Sequence, residues 1–143
     1  MLARSAERRR IRLRALGAAL FVGAGVNHFV HPEFYRQIIP PGFPSPPVLV
    51  AVSGACEIAG GVALLVPFLR RLAGWGLIAL LVAVFPANVY MAMSPEQFSV
   101  PAWALWARLP FQAVLIGWVW HVALSRHAEL RLESDTPRAV GIP

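Results

Sequence analysis

The sequence predicts an all-α fold, a four-helix transmembrane bundle with both termini cytoplasmic, and three observations carry that expectation. The 143 residues are 57% hydrophobic and 14% charged, with a mean hydropathy of +0.60, which is too apolar for an ordinary soluble domain. Four apolar runs reach spanning length, over 13–30, 48–69, 72–93 and 101–124. In hydrocarbon the helix is the open structure that satisfies its own backbone. All 13 basic residues are arginine, and they fall unevenly. Arg4, Arg8, Arg9, Arg10, Arg12 and Arg14, the Arg70-Arg71 pair, and Arg126, Arg131 and Arg138 lie on one side, with Arg36 alone in the opposite loops. That bias places the first side in the cytoplasm.

The same distribution argues against a nucleic-acid partner, despite a net charge of +6 and a pI of about 11.3, because the positive charge flanks hydrophobic runs. Cys56 is the only cysteine, so the chain has no intrachain disulfide and no thiolate set for zinc or an iron-sulfur cluster. A single membrane domain over 1–125 and a polar tail over 126–143 are expected.

The first run, Leu13 to Val30, is short, and Arg14 is expected to snorkel to the inner interface. Its basic start and apolar middle mimic a signal peptide, but no clear A-x-A site follows, and it is read as a retained span. The loop after it, HPEFYRQIIPPGFPSPP, holds six prolines and cannot span. Within it Glu33 to Ile39 suit a short interfacial helix with Phe34 and Tyr35 facing lipid, either a roof over the bundle or a stiff connector.

The second run carries Ser53, Glu57, Gly60 and Gly61 on one helix face, small and polar where a neighbour would pack closely. The third has Pro86 and Asn88 in its outer half, and the fourth has Arg108, Pro110 and Gln112. Pro86 and Pro110 each remove one backbone hydrogen bond, so two helices are expected to break at matching depth. Asn27 before Pro32-Glu33-Phe34 and Asn88 before Pro95-Glu96-Gln97-Phe98 form a faint echo between the halves. Trp75, Trp118 and Trp120 fall near the inner interface, and Trp103 and Trp106 near the outer one.

Depth gathers the polar residues. At a rise of about 1.5 Å per residue, His28 lies roughly 3 Å below the outer surface, Asn88 about 8 Å, Arg108 about 10 Å, Glu57 about 14 Å and Gln112 about 16 Å. Together with Ser53 they predict one outward-opening binding pocket, above an inner half without buried charge. Glu57, a lone carboxylate near mid-membrane, needs a partner. Arg108 is the expected one, through two charge-assisted hydrogen bonds, as a functional site or as a structural tie between two helices. No metal is expected: His28 and His31 have no third ligand beside them, and His121 is nearly a membrane thickness away. Cys56 points about 100° away from Glu57 around the helix and reads as packing.

The run His28-Phe29 with Pro32, then Ser53-Gly54-x-x-Glu57-x-x-Gly60-Gly61, Leu64-Leu65-x-Pro67, Arg70, Trp75-Gly76 and Phe85-Pro86-Ala87-Asn88 resembles the DoxX family of small bacterial membrane proteins, over about residues 15–125. The resemblance implies a four-helix bundle in the bacterial cytoplasmic (inner) membrane. It also implies a link to quinones, since a related subunit belongs to a thiosulfate:quinone oxidoreductase. Glu57, His28 and Asn88 are the motif positions, and Arg108 joins them from depth and charge. The chain has no cysteine pair and no haem-ligand pair, so an electron carrier has to come from a ligand or a partner redox subunit.

Three functions compete on this reading. The first is a quinone-linked oxidoreductase component with Glu57 or His28 handling protons. The second is a non-catalytic binder or transporter of a small apolar or anionic solute. The third is an assembly subunit, alone or as a homo-oligomer, whose polar cluster is structural.

Overall fold

The computed structural model describes residues 2–125, which form α1 (Leu2–Val30), α2 (Pro32–Gln37), α3 (Pro46–Ala63), α4 (Arg70–Met93), a 3-10 turn (Pro95–Gln97), α5 (Ala102–Val119) and a closing π turn (Trp120–Leu124). The expected tail, with Arg126, Arg131 and Arg138, lies outside the described residues. Four helices are long and apolar enough to cross a membrane, over Glu7–Val30, Pro46–Ala63, Arg70–Met93 and Ala102–Leu124. The protein is an all-α, multi-pass membrane bundle.

Its boundaries differ from the expected ones for local reasons. Ala, Leu, Arg and Glu are good helix formers, so α1 runs back through the arginines to Leu2 and does not start at Leu13. α3 stops at Ala63, short of Leu69, because Pro67 has no N–H for the Ala63 carbonyl. The chain then turns over 64–69, where the Arg70 Nε donates to the Leu64 carbonyl at 3.3 Å, and α4 begins at Arg70.

The two internal prolines do not break their helices. α4 continues through Pro86 and α5 through Pro110. Each proline deletes one backbone bond, and in a membrane bundle a neighbouring polar side chain can satisfy the loosened turn. Near Pro86, whose missing N–H frees the Val82 carbonyl, Gln112 donates to the neighbouring Leu81 carbonyl and ties α5 to α4.

α1 packs against α3, α3 against α4, and α4 against α5, while α1 also meets the π turn that closes α5. At the end holding the α3–α4 turn, Phe21, Leu64, Leu77, Leu81, Val119 and Leu124 form a closed apolar cluster. At the α2 end a second cluster joins Ile38, Met91, Ala92 and Leu105, with Phe34 and Tyr35 packed against it. Phe34 and Tyr35 thus face the bundle, not lipid as expected. Since lipid is as apolar as these side chains, their choice rests on close packing and polar contacts, not on escape from water.

Arg14 is also placed differently. It does not snorkel away; it is 6% exposed, and its Nε donates to the Val122 carbonyl at 2.9 Å. The π turn brings that acceptor within reach, so this end of the bundle does hold a buried charge, contrary to expectation.

Candidate ligand-binding site

The site begins with two glycines. Where α1 crosses α3, a Cβ on Gly25 would lie 2.6 Å from the Gly54 carbonyl oxygen, and one on Gly54 would lie 2.7 Å from the His28 Cβ. The missing side chains let the two backbones approach as small residues do in membrane helix pairs. One turn beyond Gly25, that approach sets His28 against the polar face of α3.

His28 is 8% exposed and held on three sides. Its Nδ1 lies 3.1 Å from the Val50 carbonyl oxygen and 3.0 Å from the Ser53 Oγ, and the Ser53 hydroxyl itself donates to Val50 at 3.0 Å. A carbonyl oxygen only accepts, so Nδ1 carries the hydrogen. The Tyr35 ring stacks on the imidazole with centroids 3.7 Å apart and planes at 28°. The Asn27 Nδ2 donates to the Tyr35 hydroxyl at 2.9 Å, which latches α2 over the histidine.

This arrangement leaves Nε2 as the reactive nitrogen, 3.5 Å from the Glu57 Oε2. With Nδ1 protonated, attraction across that gap needs one further proton, held either by Nε2 opposite a carboxylate or by Glu57 opposite a neutral ring. The two side chains face each other as an acid and a base at 3.5 Å, without a hydrogen bond between them. The Glu57 Oε2 is buried and has no hydrogen-bond partner within the described residues, so it keeps accepting capacity.

The expected Glu57–Arg108 pair does not form. Counting from helix ends gives depth but not direction around the axis; α5 packs on α4, whereas α1 packs on α3, so the base that reaches Glu57 comes from α1. Arg108 is exposed and makes no ion pair or hydrogen bond with any described residue.

On the opposite wall Gln112 is 4% exposed and ties α5 to α4. It donates to the Leu81 carbonyl, and its Oε1 accepts from the Asn88 Nδ2 at 2.9 Å. That bond leaves the Asn88 Oδ1 and one of its N–H groups without a partner among the described residues.

Between these walls is a cavity of about 600 Å³. All six residues expected from the sequence, His28, Ser53, Glu57, Asn88, Arg108 and Gln112, line it, along with Tyr35, Leu49, Val52 and Phe111. Val52 is 53% and Phe111 57% exposed, so the cavity reaches the surface of the bundle. They lie about 9 Å and 14 Å inside the ends of α3 and α5, at a depth where the surroundings are hydrocarbon. The cavity opens sideways into the membrane, and the apolar cluster around Leu64 and Leu77 closes its floor.

Sequence reasoning missed Tyr35, although its place seven residues after His28, on a helix begun by Pro32, was an available signal. His31 stands at the start of α2 and does not line the cavity, and Cys56 is exposed on the outside of α3. Among the described residues no three His, Cys, Asp or Glu side chains cluster as metal ligands.

Fold and cavity together define a class: a small integral membrane bundle with a largely apolar chamber that carries a few polar side chains and opens to lipid. The chain belongs to the family described as Domain of unknown function (DUF8561), whose model matches residues 17–123 and so takes in every residue that lines the chamber. No curated protein and no solved structure matches the chain.

Proposed function

We propose that the chamber binds the head group of a lipid-soluble quinone, and that the protein is a quinone-linked oxidoreductase component of the bacterial cytoplasmic membrane with both termini inside. The observation that carries this reading is the close approach of His28 and Glu57, 3.5 Å apart, on the wall of a chamber whose exposed Val52 and Phe111 face the membrane. A volume near 600 Å³ falls in the range of ligand sites, about 300–1,000 Å³. The DoxX resemblance of the His28, Glu57 and Asn88 motifs supports the same ligand class, and the arginine bias supports the orientation.

A bound quinone supplies a two-electron acceptor; with a single cysteine the chain has no dithiol couple, so the electrons come from a partner redox subunit. The protein's own residues bind and manage protons. Asn88 offers an N–H donor to an acceptor oxygen, His28 and Glu57 hold one proton at the chamber wall, and Ser53 and the Val50 carbonyl fix the tautomer that aims Nε2 at Glu57. Leu49, Val52 and Phe111 give the chamber an apolar opening suited to the ligand's tail.

The test is to purify the protein in lipid nanodiscs from quinone-containing membranes and analyse the extracted lipids by mass spectrometry. Quinone retained by the wild type and lost in Glu57→Gln supports the reading. No retained quinone, together with unchanged quinol turnover of the membranes in Glu57→Gln, removes it.

The second reading, a non-catalytic binder of a small solute, draws on the unpaired charge of Arg108. Transport ranks below binding because the apolar cluster around Leu64 and Leu77 blocks passage to the other face.

A further inference from the structure

Arg108 is the charged side chain of the chamber that stands apart from the His28–Glu57 pair. It lies six residues inside α5, about 9 Å below the end of the helix. Phe111, Gln112 and Leu115 continue the same face toward the floor at helical spacing. A guanidinium at this depth needs an anion or a route to the interface. Each nearby acid is accounted for: Glu57 faces His28 at 3.5 Å, Glu33 engages Arg36 at 2.6 Å, and Glu96 sits in the exposed 3-10 turn. Among the described residues no acid pairs with Arg108, which lines a chamber whose rim is apolar.

We infer that Arg108 is the head-group site for an anionic amphiphile, a single carboxylate or phosphate carried on an apolar chain. The anion meets the planar guanidinium through two parallel N–H donors, a geometry a neutral head group cannot match. The chain lies along Phe111 and Val52, in the opening that faces hydrocarbon. Gln112 and Asn88, one turn deeper, are neutral, so nothing on α4 or α5 beside Arg108 competes for the anion or repels it. This site stands on the wall opposite His28 and Glu57 and does not depend on the quinone reading.

The test uses the full-length protein in neutral detergent and native mass spectrometry, in two arms. Palmitate is titrated against hexadecanol, its uncharged counterpart, and phosphatidylglycerol against phosphatidylcholine, whose head group has no net charge. The wild type is expected to prefer the anion by about tenfold in at least one arm, the factor a charge-assisted hydrogen-bond pair supplies. Arg108→Gln is expected to abolish the preference, and Arg108→Lys to keep part of it. A preference confined to the phospholipid arm identifies a bilayer lipid as the source, and one confined to the palmitate arm identifies a free acid. No preference in either arm of the wild type, or one that survives in a folded R108Q, overturns the inference and leaves Arg108 as a residue that only reaches the interface. If quinone retention fails while the charge preference stands, the earlier proposal falls and this one does not.

Discussion

Replacing Gly54 by alanine tests the crossing of α1 and α3 on which the whole chamber depends. The new Cβ would lie 2.7 Å from the His28 Cβ, 3.0 Å from the Gly25 carbonyl oxygen and 3.0 Å from the Phe29 Cε2. Carbon atoms rest about 3.5–4.0 Å apart, so α1 has to retreat by roughly 1 Å at this point. That shift stretches the 3.5 Å separation of His28 and Glu57 to about 4.5 Å, beyond any direct proton exchange. Overpacking of this kind costs about 1–3 kcal/mol, against a helix-propensity gain from glycine to alanine of about 1 kcal/mol. The net expectation is a loss of up to about 2 kcal/mol together with weakened ligand retention. Gly76 is the control, because a Cβ there meets nothing within 4 Å and Gly76→Ala shows only the propensity gain. Thermal unfolding in detergent, followed by circular dichroism and paired with extraction of bound lipid, reads both effects. The reasoning is refuted if Gly54→Ala matches Gly76→Ala in stability and retains ligand like the wild type.

Three further outcomes follow from single contacts. Tyr35→Ala removes the ring stacked on His28 and the acceptor of Asn27, so hydrogen exchange in Pro32–Gln37 should rise while α3 and α4 stay protected; unchanged exchange would show that α2 is held by other contacts. Gln112→Leu removes the donor to the Leu81 carbonyl and the acceptor of the Asn88 amide at a cost of about 1–3 kcal/mol, measured by the same unfolding assay, whereas Phe111→Leu on the exposed face should cost less than half as much. Arg14→Leu removes the donor to Val122 and is expected to lose about 1.5–3 kcal/mol, while Arg12→Leu, at an exposed position of the same helix, is expected to be nearly neutral; equal effects would contradict the buried placement.

The four helices were legible because membrane spans announce themselves by length and apolarity alone, but the second was expected to run through Pro67 to Leu69, and it ends at Ala63. Depth was legible too: His28, Ser53, Glu57, Asn88, Arg108 and Gln112 can be ranked by counting residues from a helix end, and the structure sets all six around one chamber. What counting omits is direction. The partner of Glu57 depends on which helix adjoins α3, and the closeness of α1 was encoded in Gly25 and Gly54, which a sequence shows only as two glycines. Phe34 and Tyr35 were misplaced because bundle core and lipid are equally apolar, so a six-residue amphipathic helix does not reveal which it faces. Pro86 and Pro110 were expected to break their helices because each removes a hydrogen bond; the effect of a side chain such as Gln112 on the next helix is invisible until the two are packed.

The most direct test of the His28–Glu57 dyad is nitrogen-15 NMR of histidine-labelled protein in bilayers, comparing wild type with Glu57→Gln and Arg108→Gln. The His28 Nε2 resonance is expected to move in Glu57→Gln and to stay in place in Arg108→Gln, with Nδ1 protonated throughout. A His28 spectrum indifferent to Glu57→Gln, or shifted equally by Arg108→Gln, would contradict the shared proton and with it the chemistry assigned to the chamber.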